Sequence, residues 1–364
     1  NSLYSELKRM HFDYVADFHH VLRSKYLCLR FRLANIPVAF ICKGRAGKKK
    51  LVRRRHKVLE NQKSSFRRYA DVLEKLGLPV LLNFSSIYGE GKGDFAEIEP
   101  MTGPKGKQKW IGIAPFAKHK GKIYPLELQE QVVAHFAANP AVKVFLFGGG
   151  KSEQEVFDSW IAKYPSVVSM IGKLNMRTEL NLMSHLDVML SMDSANMHLA
   201  SLVNIPVVSV WGATHPYAGF MGWKQLPVNT VQLDLSCRPC SVYGQKPCWR
   251  GDYACLRDIT PEQVIAETGF SNNSLIDSLV IPARYYTYRV QCMGEDTADT
   301  GSLSQQAGIL YKGDRLLQPG NAPVRKNVDA LACRMLGQPR HGHDLAAEHH
   351  QKARAARQAY FAYR

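Results

Sequence analysis

The chain has 364 residues, of which 45% are hydrophobic and 22% are charged. This length can hold two domains with separate cores, and the composition is that of a soluble globular protein. No apolar run is long enough to cross a bilayer, so we expect a cytoplasmic protein. The formal net charge of +17 indicates an acidic partner, such as a nucleotide, a phosphorylated sugar, a nucleic acid or an anionic membrane face.

Residues 1–84 predict an incomplete N-terminal α/β domain. The pattern begins in the middle of a βαβ unit, without the opening strand and Gly-rich turn that usually start such a domain, so we expect an N-terminal truncation. Asp17 and His19 end the first predicted strand and are candidates for orienting an acceptor or acting as the catalytic base. The predicted elements are a helix ending at 10, a strand over 12–18, a helix over 21–33, a strand over 38–42 and a helix over 61–76.

Basic residues dominate the middle of this domain. Nine Lys or Arg residues occur between 43 and 57, and no Asp or Glu occurs between 18 and 59. A solvated loop, a nucleic-acid site and a contact with a phosphorylated, membrane-embedded acceptor all fit this charge. The basic stretch lacks the interleaved aromatic residues that stack on bases, so we favour the glycolipid acceptor and an anionic membrane surface, with Arg23, Arg53 and Arg54 on the acceptor side.

Residues 85–108 predict a linker, because Gly, Ser, Pro and Lys are abundant there. The second domain, over 109–268, alternates apolar strands with amphipathic helices, which predicts a parallel, doubly wound sheet with helices on both faces. The predicted strands cover 110–115, 142–147, 167–171, 186–192 and 206–211, and the main helices cover 126–138, 153–163, 178–185 and 196–203.

Three turns at the carboxyl ends of these strands are candidates for ligand binding, since ligands collect at that edge of an open parallel sheet. The first turn holds Lys118 and Lys122, whose charges suit a pyrophosphate; an exposed basic loop is the alternative. In the third turn, Leu174 and Met176 either flank a nucleobase or pack against the core. The second turn allows a close backbone approach to a ligand, or is a plain tight turn, and contains Gly148, Gly149, Gly150 and Lys151.

The glycine turn nearly matches the phosphate loop of ATPases, with Asp193 as the metal-binding carboxylate. The first glycine that this pattern requires falls on Phe145, inside a strand. A dinucleotide-binding pattern also fails, because its third glycine falls on Glu153. A phosphate-loop NTP-binding protein and a basic nucleic-acid-binding module stay open as alternative functions.

The stretch 186–216 predicts a strand, a tight turn, a helix, a second strand and a second polar turn. A helix N-terminus at the carboxyl edge of a sheet presents free backbone N–H groups to an anion. The alternative is that Asp193 or Ser194 only caps the helix. Because two polar turns lie side by side, we expect an anion site formed by Asp193, Ser194, Ala195, Asn196, His198, Gly212 and Thr214.

The residues from Asp193 to Ala200, together with Pro206 to Thr214, resemble the nucleotide-sugar-binding signature of glycosyltransferase family 9, the lipopolysaccharide heptosyltransferases. The resemblance runs from about residue 1 to about residue 265 and departs at Ala195, where the family usually has Gly. It implies a GT-B-like fold of two Rossmann-like domains and an inverting transfer of a heptose-like sugar from an ADP-heptose-like donor to a lipopolysaccharide core acceptor. No cofactor is required for such catalysis, and nucleic acid is not an expected partner.

The same resemblance assigns roles to individual residues. In the family, a Lys before an aromatic-Pro pair contacts the donor phosphate, and Lys122 before Tyr124 and Pro125 fits that position. The family's catalytic base is an Asp in a Gly-Asp turn near the N-terminus, which nothing in this sequence matches.

Four of the eight cysteines lie close together, which is unlike a secreted disulfide framework. Their spacing suits either a structural zinc site or buried free thiols, and we expect no role for them in the chemistry. Thr260 and Pro261 then predict a helix start, while residues 269–364 lose the regular pattern and suggest an irregular or foreign tail. The four cysteines are Cys237, Cys240, Cys248 and Cys255.

Overall fold

The computed structural model of the protein describes residues 2–269, which form two parallel sheets. The prediction of an irregular tail lies outside the described residues, apart from Gly269, which ends the last helix. No helix in the described part of the chain is both long and apolar enough to cross a membrane.

The first sheet consists of two strands joined by a helix. β1 and β2 pair in parallel with Val15 opposite Val38, and α2 connects them as the helix of a βαβ unit. The last helix of this part, predicted over 61–76, begins later because the Ser64 side chain caps it by accepting a hydrogen bond from the Arg67 N–H. The elements are α1 (Ser2–Lys8), β1 (Val15–Asp17), α2 (Leu22–Leu33), β2 (Val38–Phe40), α3 (Arg45–Leu51) and α4 (Ser65–Glu74).

The second sheet has six strands in the order β5-β4-β3-β6-β7-β8, with every neighbouring pair parallel. This order confirms the predicted doubly wound sheet. Thr260 caps the last helix, as predicted, by accepting a hydrogen bond from the Gln263 N–H. The elements are α5 (Glu99–Thr102), β3 (Lys109–Ala114), α6 (Leu126–Ala137), β4 (Val142–Leu146), α7 (Lys151–Lys163), β5 (Val167–Ser169), α8 (Met176–His185), β6 (Val188–Met192), α9 (Ala195–Leu202), β7 (Val207–Val210), β8 (Thr230–Val231), α10 (Ala254–Arg257) and α11 (Pro261–Thr268).

Both faces of the six-stranded sheet carry an apolar core. Successive residues of the central strand β6 point to opposite faces, so that Leu190 belongs to one buried cluster and Met189 to the other. All five residues of β6 are buried. Burial on both faces explains why this strand has a continuous apolar sequence instead of an alternating one.

The predicted linker is packed against one of these cores. It contains the short helix α5, and Ile98, just before that helix, is completely buried. The Phe95 ring lies 5.9 Å from the Trp110 ring, and Lys105 forms an ion pair of 2.9 Å with Asp187. Gly- and Pro-rich composition therefore identified an irregular segment here, but its few apolar residues are enough to anchor it to the sheet.

Candidate functional site

The crevice between β3 and β6 is the point where the strand order of the large sheet reverses. β4 and β5 lie on one side of this pair, and β7 and β8 lie on the other. Loops that leave such a pair in opposite directions open a space at the carboxyl ends of the strands. The loop after β3 holds Lys122, and the loop after β6 holds Asp193.

The structure brings Lys122 and Asp193 into direct contact. The Lys122 ammonium nitrogen lies 2.9 Å from a carboxylate oxygen of Asp193 and 3.0 Å from its backbone carbonyl oxygen. The side chains are only 15% and 5% exposed, so little solvent screens this pair. The carbonyl contact has the geometry of a hydrogen bond, whereas the carboxylate contact is an ion pair only, so ammonium protons are left for a further acceptor.

Helix α9 begins at this pair without a side-chain cap. The Ser194 hydroxyl lies 3.1 Å from the Ser191 hydroxyl and accepts no hydrogen bond from the first turn of the helix. Since Asp193 pairs with Lys122, the alternative in which either residue only caps the helix is wrong. The N–H groups of the first turn, which begins at the exposed Ala195, can therefore be offered to an anion.

His198 lies one turn into the same helix. Burial lowers the pKa of the His198 imidazole, and nearby Lys122 lowers it further, whereas Asp193 raises it. The net shift is downward from 6.5, so the imidazole is neutral at pH 7. The Phe66 ring, from helix α4, is inclined at 65° to the imidazole, and the two ring centres are 6.5 Å apart. Helix α4, from the first part of the chain, therefore borders the crevice. Asn196, on α9, is half-buried.

The turn after β7 joins the same loops. The Ala213 N–H donates to the Gly121 carbonyl at 2.8 Å, which ties this turn to the loop of Lys122. A Cβ on Gly244 would lie 2.6 Å from the Lys122 side chain, so Gly244 packs directly on the lysine stem. Gly212 and Thr214 are both fully enclosed, and the Thr214 hydroxyl has no hydrogen-bond partner in the described part of the chain.

Arg238 holds this turn in place and was missed by sequence reasoning. Its guanidinium is 5% exposed and donates to the carbonyls of Trp211, Gly212 and Thr214, at 3.0, 2.5 and 3.0 Å. It also donates to the Leu233 carbonyl and to the Gln232 side chain. Nothing in the local pattern marks Arg238 as buried, because three of its acceptors are backbone carbonyls that lie more than twenty residues earlier in the chain.

The glycine turn after β4 does not offer a phosphate cradle. The Gly149 N–H donates to a Glu153 carboxylate oxygen at 2.7 Å, and a Cβ on Gly148 would lie 2.6 Å from the same oxygen. A carboxylate thus occupies the place that a phosphate would take, and Lys151 is exposed on the surface. The contacts contradict the phosphate-loop alternative and favour the tight turn, which Gly150 makes with a φ of 93°.

Two other predicted donor contacts lie in different surroundings. Leu174 packs against the second core cluster, which bears out core packing for that residue, and Met176 is 57% exposed at the start of α8. Lys118 is exposed, in agreement with the alternative prediction that this turn is an exposed basic loop. The roles of Met176 and Lys118 in donor binding stay predictions.

Asp17 is engaged within its own turn. Its carboxylate accepts hydrogen bonds from the backbone N–H groups of His19 at 2.9 Å and His20 at 2.7 Å. Burial raises the pKa of Asp17, but these hydrogen bonds together with those of Ser24 and Cys28 outweigh it, and the net pKa is lowered. A carboxylate in this state is a weaker base, and His19 is exposed beside it.

Part of the basic stretch is used inside the molecule. Lys57 donates to the carbonyls of Ser236, Arg238 and Pro239 at 3.2, 2.6 and 3.1 Å. The Arg54 guanidinium lies 4.9 Å from the centre of the Trp249 ring. The solvated-loop interpretation is therefore wrong for Lys57, because three backbone carbonyls of the loop after β8 bind its ammonium group. Arg54 is exposed and lies over the Trp249 ring of the same loop.

Two further acceptor-side residues lie in different places. Arg53 lines a cavity beside the same later loop, whereas Arg23 is exposed on helix α2. Their role in binding an acceptor stays a prediction.

The four cysteines do not converge on a metal site. No three His, Cys, Asp or Glu side chains within residues 2–269 are placed to hold a metal ion. Cys255 is buried in the apolar core, which raises its pKa to about 12, whereas Cys237, Cys240 and Cys248 are partly accessible. The spacing in the sequence did not reveal that helix α10 turns Cys255 away into the core.

Comparison with known proteins adds independent information. The model of glycosyltransferase family 9 (heptosyltransferase) matches residues 1–248. The chain is 28% identical over 173 residues to lipooligosaccharide heptosyltransferase 2 of Campylobacter jejuni serotype O:2, which covers 46% of this chain and 52% of that protein. It is 27% identical over 168 residues to the protein of the same name from serotype O:6, which covers 45% and 51%. The chain spans about half the length of these curated relatives.

The fold is also similar to a solved structure. The E. coli ADP-heptose LPS heptosyltransferase II superposes with a TM-score of 0.51 at 16% identity, over 73% of this chain and 78% of that chain. This likeness and the parallel strand order confirm the predicted α/β, GT-B-like fold class.

Proposed function

Because the chain belongs to glycosyltransferase family 9, we propose that the crevice between β3 and β6 binds the diphosphate of a nucleotide sugar and that the chain transfers the sugar to a saccharide acceptor. The observation that carries this proposal is the contact between Lys122 and Asp193 at the uncapped start of helix α9. A fixed ammonium and free backbone N–H groups at one point suit a ligand with two adjacent phosphates.

In the proposed reaction, this cluster stabilises the leaving diphosphate. Negative charge grows on the diphosphate as its bond to the sugar breaks, and preorganised donors in a poorly solvated site stabilise that charge strongly. Asp193 holds the Lys122 ammonium through an ion pair with its carboxylate and a hydrogen bond to its carbonyl, and a remaining proton is offered to a phosphate oxygen. Neutral His198 is placed to exchange a hydrogen bond with the sugar or the phosphate.

The proposed donor and acceptor follow from the family. The relatives named lipooligosaccharide heptosyltransferase 2 favour a heptose as the transferred sugar, with ADP-heptose as the donor, and a phosphorylated lipopolysaccharide core as the acceptor. The acceptor is a glycolipid, so we place the chain at the cytoplasmic face of the inner membrane, in contact with anionic headgroups rather than nucleic acid. We assign Asp17 to ordering the acceptor-side turn, because its carboxylate is already hydrogen-bonded.

The proposal is tested by measuring the affinity for ADP and for ADP-heptose by calorimetry in the wild-type chain and in Lys122→Ala. A hydrogen bond to a charged group contributes about 1.5–3 kcal/mol, so we expect Kd to rise roughly tenfold to a hundredfold. Lys120→Ala is the matched control, since Lys120 is an exposed lysine of the same loop whose ammonium lies over the Tyr253 ring, and its Kd should change little.

Thermal unfolding of each variant separates lost binding from lost folding, because Lys122→Ala leaves the Asp193 carboxylate buried without its partner. A folded Lys122→Ala chain that binds ADP as tightly as the wild type contradicts the proposed site. Equal losses in Lys120→Ala and Lys122→Ala would show that only the general positive charge of the loop matters.

A further inference from the structure

The loop that follows β8 carries a Cys-x-x-Cys pair that the transferase chemistry does not use. Cys237 and Cys240 are both free thiols, both are partly accessible, and both line the same cavity of about 330 Å³. Two intervening residues are the separation of a dithiol that can close into a disulfide, and intracellular disulfides of this kind are usually transient and reactive.

Cations surround this cavity. Arg53 and Arg54 line it from the basic stretch and Lys246 lines it from the cysteine loop itself, and no Asp or Glu is among its described lining residues. The Trp249 ring forms part of the wall, with Arg54 stacked on it. A cavity of this size with an aromatic wall and three cations fits a small anionic molecule with apolar and peptide-like parts.

The positive charge also reaches the sulfur atoms. The Lys57 ammonium group is bound by the carbonyls of Ser236, Arg238 and Pro239. Burial lowers the pKa of Lys57, and the Cys237 and Cys240 thiols are close enough to raise it in part. The Arg250 guanidinium, paired with Asp252, also lies near Cys237, because the Cys237 thiol adds to the effect of Asp252 in raising the pKa of Arg250. Reactive cysteines are found in such electropositive, partly exposed surroundings, because cations stabilise the thiolate that attacks.

The two thiols are not equivalent. Burial raises the pKa of Cys240, and the neighbouring thiols Cys237 and Cys248 raise it further. Burial therefore favours the protonated form of Cys240, while Cys237 lies near the guanidinium of Arg250. This difference is typical of an attacking and a resolving cysteine.

We propose that Cys237 and Cys240 form a redox-active dithiol that undergoes exchange with anionic low-molecular-weight disulfides of the glutathione class. The Cys237 thiolate attacks one sulfur of the disulfide, which breaks the S–S bond, forms a mixed disulfide on Cys237 and releases one thiolate. That thiolate takes up the proton of Cys240, and the new Cys240 thiolate attacks the Cys237 sulfur. The second small thiolate leaves and takes from solvent the proton that Cys237 released when it ionised, and the protein holds a Cys237–Cys240 disulfide.

The other cysteines of the described residues provide internal controls. Cys28 and Cys255 are buried, with pKa values raised to about 11 and about 12 by burial, and should not react in the folded chain. Cys42 is exposed but lies outside the cationic cavity, so it reports on the reactivity of an ordinary accessible thiol.

The test incubates the reduced full-length chain with glutathione disulfide and follows it by intact mass and peptide mapping. The wild type should lose two hydrogens at Cys237 and Cys240 without keeping glutathione. Cys240→Ser should trap one glutathione on Cys237, Cys237→Ser should lose the fast reaction, and Cys42→Ser should behave as the wild type. Charge attraction in the cavity should make glutathione disulfide react on the order of tenfold faster than the dicationic disulfide cystamine.

A paired variant, Arg53→Gln with Arg54→Gln, should remove this preference for the anionic disulfide while leaving cystamine at least as reactive. The proposal is overturned if Cys237 reacts no faster than Cys42, or if anionic and cationic disulfides react equally. It is also overturned if the purified chain holds a metal ion that keeps both thiols unreactive until a chelator removes it.

Discussion

Lys48, on helix α3, is a buried ammonium group without a counter-ion, and its removal should stabilise the chain. It is 6% exposed, its nitrogen lies 4.1 Å from the centre of the Phe220 ring, and no carboxylate among the described residues pairs with it. Burial, together with the nearby Arg68, lowers the pKa of Lys48 from 10.5 to about 8. We therefore predict that Lys48→Met raises the free energy of unfolding at neutral pH.

The size and the sign follow from that pKa. A shift from 10.5 to about 8 corresponds to a cost of about 3 kcal/mol at 1.36 kcal/mol per unit, because the folded state must hold a charge that the unfolded state holds freely. The lost cation–π contact with Phe220 opposes about 1–2 kcal/mol of this gain, and a methionine–aromatic contact restores part of that loss. The expected net gain at pH 7 is about 2 kcal/mol.

The gain should depend on pH in a defined window. Below pH 8 both states carry the charge and the full cost applies, whereas between about 8 and 10.5 the folded state releases its proton first and the cost falls. The difference in unfolding free energy between Lys48→Met and wild type, measured with denaturant from pH 7 to 10, should shrink towards zero. Exposed Lys49 offers the control, since Lys49→Met should give a small difference without this trend. A destabilised Lys48→Met, or a difference independent of pH, would refute the reasoning.

Three further predictions concern other sites. Burial, with Arg238 and Lys57 adding to the effect, lowers the pKa of His215 to about 3, so the folded state resists a proton that the unfolded state accepts below 6.5. His215→Gln should reduce the loss of stability on acidification, by up to about 1 kcal/mol per pH unit below 6.5 in denaturant titrations; an unchanged acid response would contradict this. Asp17→Asn should lower stability at pH 7 by about 1 kcal/mol and leave the Kd for ADP unchanged, and a large calorimetric loss of binding would instead place Asp17 in the donor site. Gly219→Ala should cost roughly 1–3 kcal/mol in thermal unfolding, since φ is 81° and its Cβ would lie 2.5 Å from the Lys63 carbonyl oxygen; a neutral substitution would show that this backbone can move.

The large sheet could be predicted because its information is local. Apolar runs separated by helical spacing, from 109 to 211, determine strands and crossovers, and the right-handed rule then fixes a parallel order. The same logic places Lys122 and Asp193 at one edge of the sheet, since both follow strands. The two-residue strand β8 was missed, because two residues carry no periodic pattern.

The contacts that depend on distant backbone atoms could not be predicted. Arg238 binds carbonyls more than twenty residues away, and Lys57 binds carbonyls about 180 residues later in the chain. Charge alone suggested that the basic stretch faces a partner. A lysine of that stretch can equally donate hydrogen bonds to backbone carbonyls of the protein itself, as Lys57 does. The glycine turn failed for a related reason, because only the fold shows that Glu153 reaches back to the Gly149 N–H.

The main-chain bonds between the two parts of the chain restrict how those parts can move. The Gln62 N–H donates to the Tyr217 carbonyl at 2.8 Å, and the Ser65 N–H donates to the Gly219 carbonyl at 3.0 Å. A rotation of the two-stranded sheet that preserves both bonds would pivot about residues 62–65, whose acceptors Tyr217 and Gly219 lie three and five positions after Thr214. Such a rotation would therefore act directly on the turn that follows β7, which is tied to the loop of Lys122 by the bond from the Ala213 N–H.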